Sequence, residues 1–236
     1  MPTLESHLRA QIDRVHDFFW HRLRWRLVAR TLPSDESCRL LDVGAGAGLA
    51  GEYLAEEFPR VEYFFIEPLE SLETRLVGRF GPQRNLRGHA SFAGMRYLLL
   101  LDVLEHQEDD RGFLADLVAK MDSGSCLLVT VPALRSLWSD WDRIMGHFRR
   151  YDKRTLASAV SGLPVVVEEL SFLFPEMVPV GWLRRYRMRS AGSSDGEFPQ
   201  LPGWINETLF RFGTLSLALR RAWPFGSSLY LRIRKQ

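Results

Sequence analysis

The chain of 236 residues is poor in several features, and each shortage excludes something. It has only two cysteines, Cys38 and Cys126, each inside an apolar run. That excludes a disulfide framework and points to buried free thiols in a reducing compartment, so the expected location is cytoplasmic. No uninterrupted apolar run approaches the roughly 18 residues of a membrane span. The opening stretch, MPTLESHLRAQIDRVHDFFW, lacks a cationic start followed by an apolar core, so no secretory leader is expected. No segment repeats and none is of low complexity. Acidic residues are missing after Glu207. From Val178 to Gln236 there are ten Lys/Arg and three Asp/Glu, whereas the rest of the chain holds 21 and 26. The net charge of +2 hides this asymmetry. Such a tail favours anionic surfaces, including the inner face of a membrane, although a solvated basic face has the same composition.

What is present is an ordinary globular composition, 46% hydrophobic and 25% charged, long enough for one large α/β domain. Leu4 to Leu32 reads as a helix because Leu8, Ile12, Val15, Phe19 and Leu23 recur at three- and four-residue steps. Seven strands are predicted: Arg39–Val43, Val61–Ile66, Asn85–Gly88, Tyr97–Leu101, Cys126–Val131, Pro164–Leu170 and Ser228–Ile233. Helices are predicted between them, at Leu49–Glu57, Ser71–Phe80, Asp109–Met121 and Arg154–Val160. This alternation predicts a Rossmann-like, mostly parallel sheet with helices on both faces. More than 50 residues separate the last two strands, which predicts a structured insertion carrying a helix near Asn206 to Trp223. The expected organisation is an N-terminal helical segment at 1–33, a core at 34–171, a helical insertion or lid at 172–226, and the last core strand at 227–236.

LLDVGAGAGLAG, from Leu40 to Gly51, contains two overlapping glycine fingerprints. Gly44-x-Gly46-x-Gly48 is one, and Gly46-x-Gly48-x-x-Gly51 is the other. Glu67, at the end of the second strand, lies 23 residues after Gly44 and 21 after Gly46, so its spacing fits both. Asp42 separates them. A carboxylate inside an apolar strand needs partners. It suits a ligand carrying an ammonium group and repels a pyrophosphate. The Gly44 register also ends the strand cleanly at Val43, whereas the Gly46 register runs a strand through a glycine.

LDVGAGAG, followed by FIEP and then LLLDVLEH, resembles the class I S-adenosylmethionine-dependent methyltransferases, over roughly Arg39 to Leu170. The resemblance, of a broad quinone-type character, implies a seven-stranded sheet with an antiparallel last strand, and methyl transfer by direct displacement. It implies that Gly44, Ala45, Gly46 and Gly48 form the turn beside the cofactor and that Asp42 holds its methionine end. Glu67 would bind the ribose, and Pro68 would border the adenine. Asp102 and Val103 would open onto the cofactor. His89 stands where the family often has an acid meeting the adenine.

For the acceptor, the candidate catalytic groups are Glu105 and His106 in DVLEH and His147 in MGHFRRY. His106 suits a general base near neutral pH. The competing reading makes DVLEH a structural turn, with Glu105 capping the next helix. Arg149, Arg150 and Tyr151 are candidates for binding an anionic acceptor, or else pair with acids such as Asp140, Asp142 and Asp152. D-x-x-E-H also resembles the E-x-x-E-H metal site of some O-methyltransferases. That implies a divalent ion on Asp102, Glu105, His106 and His147, set against a site with no metal. Trp182, Trp204 and Trp223, with Arg184, Arg185, Arg187 and Arg189, fit an interfacial segment or a packed lid.

The expected function is therefore methyl transfer to a small or lipid-like acceptor, with proton abstraction from a hydroxyl. A metal-assisted RNA or catechol-type O-methyltransferase and a non-catalytic cofactor-binding scaffold are the alternatives. DVLE in place of an Asn/Asp-Pro-Pro-aromatic motif argues against DNA as a partner.

Overall fold

The computed structural model describes residues 18–183 and 201–236. The stripe residues Leu8, Ile12 and Val15 and the arginines from Arg184 to Arg189 lie outside them. Strand β1 (Cys38–Val43), helix α2 (Leu49–Glu57), β2 (Val61–Ile66) and α3 (Glu70–Phe80) follow the first helix, α1 (Phe19–Ala29). Next come β3 (Met95–Leu101), α4 (Asp110–Lys120), β4 (Cys126–Pro132), α5 (Asp140–Ile144), α6 (Lys153–Ala159) and β5 (Val165–Leu173). Residues 177–183 are helical. Then α7 (Gly203–Ala218) leads into β6 (Ser228–Lys235).

The sheet order is β2-β1-β3-β4-β6-β5. β1 pairs in parallel with β2 and β3, and β3 with β4. β6 is antiparallel to both β4 and β5. The sheet therefore has six strands, not the seven predicted. Asn85–Gly88 makes one parallel bridge, Asn85 to Phe65, and no more. Gly81 and Gly88 take positive φ on either side, and Pro82–Arg84 forms a 3-10 turn, so the backbone leaves the sheet after one pair.

Alternation along the strands divides the core. Leu41, Leu98, Leu127 and Leu231 face α4 and α6, while Leu40, Phe65, Leu99 and Tyr230 face α1 and α7. α1 lies closely against α7, because a Cβ at Gly213 would come within 2.3 Å of Leu23. The Asn206 side-chain oxygen accepts from the Phe19 amide at 2.8 Å, and Arg22 pairs with Glu207 at 3.1 Å. N-terminal helix and insertion thus form one layer over the sheet.

Gly51 sits in α2 against β2. A Cβ there would lie 2.6 Å from the Tyr63 ring and 2.7 Å from that of Phe80. Gly51→Ala is expected to cost about 1–3 kcal/mol by overpacking, lowering the thermal midpoint by several degrees. Gly78→Ala, where an added Cβ meets nothing within 4 Å, is expected to be neutral or slightly stabilising in the same melting experiment.

Candidate active site

The strand order reverses between β1 and β3, where a doubly wound sheet opens a crevice at its C-terminal edge. A cavity of about 1110 Å³ lies there. That exceeds the usual size of a single-ligand pocket and leaves room for two ligands. Its floor is the turn after β1. Gly44 takes φ +77° and Gly46 takes +57°. A Cβ at Gly44 would lie 2.5 Å from the Val103 side chain, so the turn passes β3 only as bare backbone. Gly48 has another task. It starts α2 with φ +83°, lies outside the cavity lining, and would strike Leu76 at 2.5 Å if it carried a Cβ.

Asp42 ends β1 beneath this turn, almost wholly buried, and accepts a hydrogen bond from the Tyr63 hydroxyl at 3.1 Å. Burial pushes its carboxyl up to about 7, against the pull of Tyr63 and with a small push from Glu67. Glu67 ends β2. Its two oxygens accept from the amides of Gly46 at 2.7 Å and Leu69 at 2.9 Å, so the second acid clamps the glycine turn. Burial raises its pKa as well. Pro68, Ala45, Asp102 and Val103 line the same cavity. His89 does not; it is exposed beyond Leu86. A buried carboxylate, a second one at the next strand end, and a turn without bulky side chains between them fit a cofactor with an ammonium group and ribose hydroxyls.

These features decide between the registers. Gly44 and Gly46 face the cavity, while Gly51 is spent on packing against Tyr63. A family model described as a methyltransferase domain matches residues 9–163. The chain belongs to the class I S-adenosylmethionine-dependent methyltransferases. Trans-aconitate 2-methyltransferase of Pseudomonas aeruginosa is 30% identical over 131 residues, which cover 52% of this chain and 47% of that enzyme. The chain thus spans about half the length of the curated relatives it matches. Among solved structures, Haemonchus contortus phosphoethanolamine N-methyltransferase 2 with S-adenosylhomocysteine superposes with a TM-score of 0.58 at 14% identity. That match covers 92% of this chain and 52% of that one. The [4+2]-cyclase SpnF gives 0.58 at 16% identity, covering 91% and 80%. Such distant likenesses establish the fold and not the reaction.

The far wall of this methyltransferase cleft carries the acceptor candidates. Asp102 takes φ +53°, a conformation an aspartate tolerates better than most residues, and its carboxylate pairs with Arg24 of α1. Burial lowers the Arg24 guanidinium to about 10, and nearby Glu105 partly offsets that. Glu105 lies in the 3-10 turn Leu104–His106 and is 1% exposed. It does not cap the next helix: Asp109 does, accepting from the Gly112 amide at 2.9 Å. Burial raises the Glu105 carboxyl to about 8, although Arg24 and Arg150 pull it down.

His106 and His147 meet edge-on, with centroids 4.7 Å apart. Burial and His147 lower His106 to about 4. His147 directs Nδ1 at Asp142 Oδ1, 3.1 Å away. Burial alone would raise Asp142, but His147, Arg150 and the Ser139 amide hold it below the usual carboxylate range. Main-chain bonds fix the two loops together, with the Phe148 amide donating to the Glu105 carbonyl at 2.8 Å.

Of the basic trio, Arg150 lines the cavity but is engaged with Asp142 at 2.7 Å and the Ala133 carbonyl at 3.1 Å. Arg149 pairs with Asp110 at 3.0 Å, and Tyr151 is buried with its hydroxyl on the same carboxylate at 2.7 Å. Neither lines the cavity. Arg24, Tyr63 and Asp142 are contributors that motif reading passed over as site residues. Only Asp142 had a signal, as a nearby acid for the arginines.

Asp42 generates a pH test. A ligand ammonium selects its ionised form, so cofactor binding expels the proton that burial retains. Affinity for S-adenosylmethionine is expected to rise roughly tenfold between about pH 5.5 and 7. Calorimetry across that range checks this, and Asp42→Asn should weaken binding and flatten the dependence.

Proposed function

We propose that this chain transfers the methyl group of S-adenosylmethionine to a hydroxyl oxygen of a small, partly apolar acceptor. The observation that carries the oxygen assignment is the cluster of Glu105, His106 and His147 facing the cofactor turn across one cavity. When bound, S-adenosylmethionine supplies a methyl group on a cationic sulfur, which an acceptor oxygen displaces while the sulfur keeps the bonding electron pair. The residues of the cluster provide what a hydroxyl then requires, a place for its proton. Asp142 fixes the His147 ring with Nδ1–H donated to the carboxylate, which leaves Nε2 as the accepting nitrogen. Phe18, Trp20, Leu137, Met145 and Val180 give the cavity apolar walls, which favour an acceptor with hydrocarbon surface. The trans-aconitate relative supports a small-molecule acceptor, and positioning alone supplies several kcal/mol of the rate.

The exposed residues beside the cavity extend this reading to a lipid-like acceptor met at an anionic membrane surface. Val180, Trp182 and Leu183 are exposed near its rim, and Trp204, Phe212 and Leu215 are exposed along α7, with Leu219 just past its end. Arg211 and Arg221 flank that stripe. Among the described residues no helix is long and apolar enough to cross a membrane, so the surface in question is an interfacial one.

Two measurements follow. With methyl-labelled S-adenosylmethionine and a panel of hydroxyl, amine and carboxylate acceptors, mass spectrometry should locate the label on oxygen. His147→Asn should lower kcat by roughly 10²- to 10⁴-fold with cofactor affinity unchanged. Cofactor binding without any labelled product would favour the scaffold reading. In flotation, the chain should rise with anionic vesicles but not neutral ones, and the double change Trp204→Ala with Phe212→Ala should abolish this.

A further inference from the structure

We propose that Glu105 anchors a cationic amino group on the carbon next to the reacting hydroxyl, so that the acceptor is a vicinal amino alcohol. The inference rests on the reading above, that His147 takes the hydroxyl proton. A Glu105 carboxylate oxygen and ring nitrogens of His106 and His147 lie within 4.8 Å of one another. Groups on adjacent staggered carbons stand about 3 Å apart, and each reaches its own partner over about 2.8 Å. A hydroxyl on His147 therefore puts an amino group on the neighbouring carbon within reach of Glu105.

Glu105 lines the cavity and is 1% exposed, yet its Oε2 has no hydrogen-bond partner among the described residues. A buried carboxylate oxygen without a donor is costly, and a ligand that brings one removes the cost. The neighbouring cations do not bring it. Arg24 pairs with Asp102 and Arg150 with Asp142. Glu105 is thus the carboxylate of the acceptor wall left without an ion-pair partner among the described residues. Burial raises its carboxyl to about 8, and an ammonium group arriving beside it favours the ionised form. A neutral hydroxyl in the same place would meet one lone pair and leave the buried charge unmatched.

The same contact decides which acceptor atom is methylated. An amine held on a carboxylate keeps its proton and has no free electron pair with which to attack a methyl group. The hydroxyl oxygen bonds to the methyl carbon instead, leaving the old bonding pair on sulfur and its own proton on His147. Glu105 is then a specificity-determining residue, and the accepting nitrogen of His147 stays free for the proton. The apolar walls formed by Leu137, Met145 and Val180 take the hydrocarbon remainder.

The test compares phenylglycinol, styrene glycol and phenethyl alcohol, which carry an amino group, a hydroxyl and a hydrogen beside the same primary alcohol. Calorimetry on the full chain with S-adenosylhomocysteine should show phenylglycinol binding roughly 10- to 100-fold more tightly than the other two. With S-adenosylmethionine, kcat/KM should follow the same order, and mass spectrometry should place the methyl group on oxygen. In Glu105→Gln the preference for the amine should fall to near parity, a ratio from which any general loss of activity cancels. Calorimetry with S-adenosylmethionine shows whether that variant is folded. No binding of phenylglycinol, equal binding of all three, or an amine preference undiminished in Glu105→Gln overturns the anchor. Oxygen methylation of all three alike overturns it too while leaving the proposed function intact. A methyl group on the amine nitrogen overturns both. An amine preference that Glu105→Gln abolishes, with no oxygen methylated in any acceptor, leaves the anchor standing and removes that function.

Discussion

The turn after β1 must pass Val103 with no side chain between them, and the rest of the cleft depends on that contact. The 2.5 Å separation between a Cβ at Gly44 and Val103 is shorter than any side chain accepts. Because Gly44 is bare, β1 and β3 come together with their C-terminal ends level, and Asp42 and Asp102 face the same cavity. At φ +57° the Gly46 amide reaches Glu67 and ties the turn to the end of β2. Gly44 thus sets how closely the turn after β1 approaches the turn after β3, and not merely access to the cavity.

Charge in that cleft is arranged by elements far apart in the chain. Burial raises the pKa values of Asp42, Glu67 and Glu105, so each carboxyl holds its proton more readily than a free one does. Asp142 is the exception, held ionised by an arginine, a histidine and an amide. Arg24 comes from α1, which packs on α7 through Leu23 and Gly213 and on α2 through Trp25 and Tyr53. A helix that lies outside the sheet therefore brings a cation to Asp102 at the cavity.

Much of this was legible in the sequence. The strand alternation is local, set by side-chain periodicity, and six of the seven expected strands fall within three residues of where the periodicity put them. Asn85–Gly88 failed because a strand needs a partner for several residues, and two positive-φ glycines remove the backbone after one. In the site, Asp42, Gly44, Glu67 and DVLEH stand out because a polar residue at the end of an apolar run is conspicuous. His89, Arg149 and Tyr151 were drawn in by adjacency to motifs, which does not specify the direction of a side chain. Tyr151 turns into the core, and His89 stays in solvent.

The sequence by itself determined the alternating α/β order, the bare turn and the acids at the strand ends, because each is written in a run of neighbouring residues. Only the tertiary structure decided that the Glu105 Oε2 lies buried with no hydrogen-bond partner among the described residues, that Asp142 orients His147, and that Arg24 reaches Asp102. The two contacts join residues 5 and 78 positions apart along the chain, and no local periodicity encodes which side chains will meet in a fold.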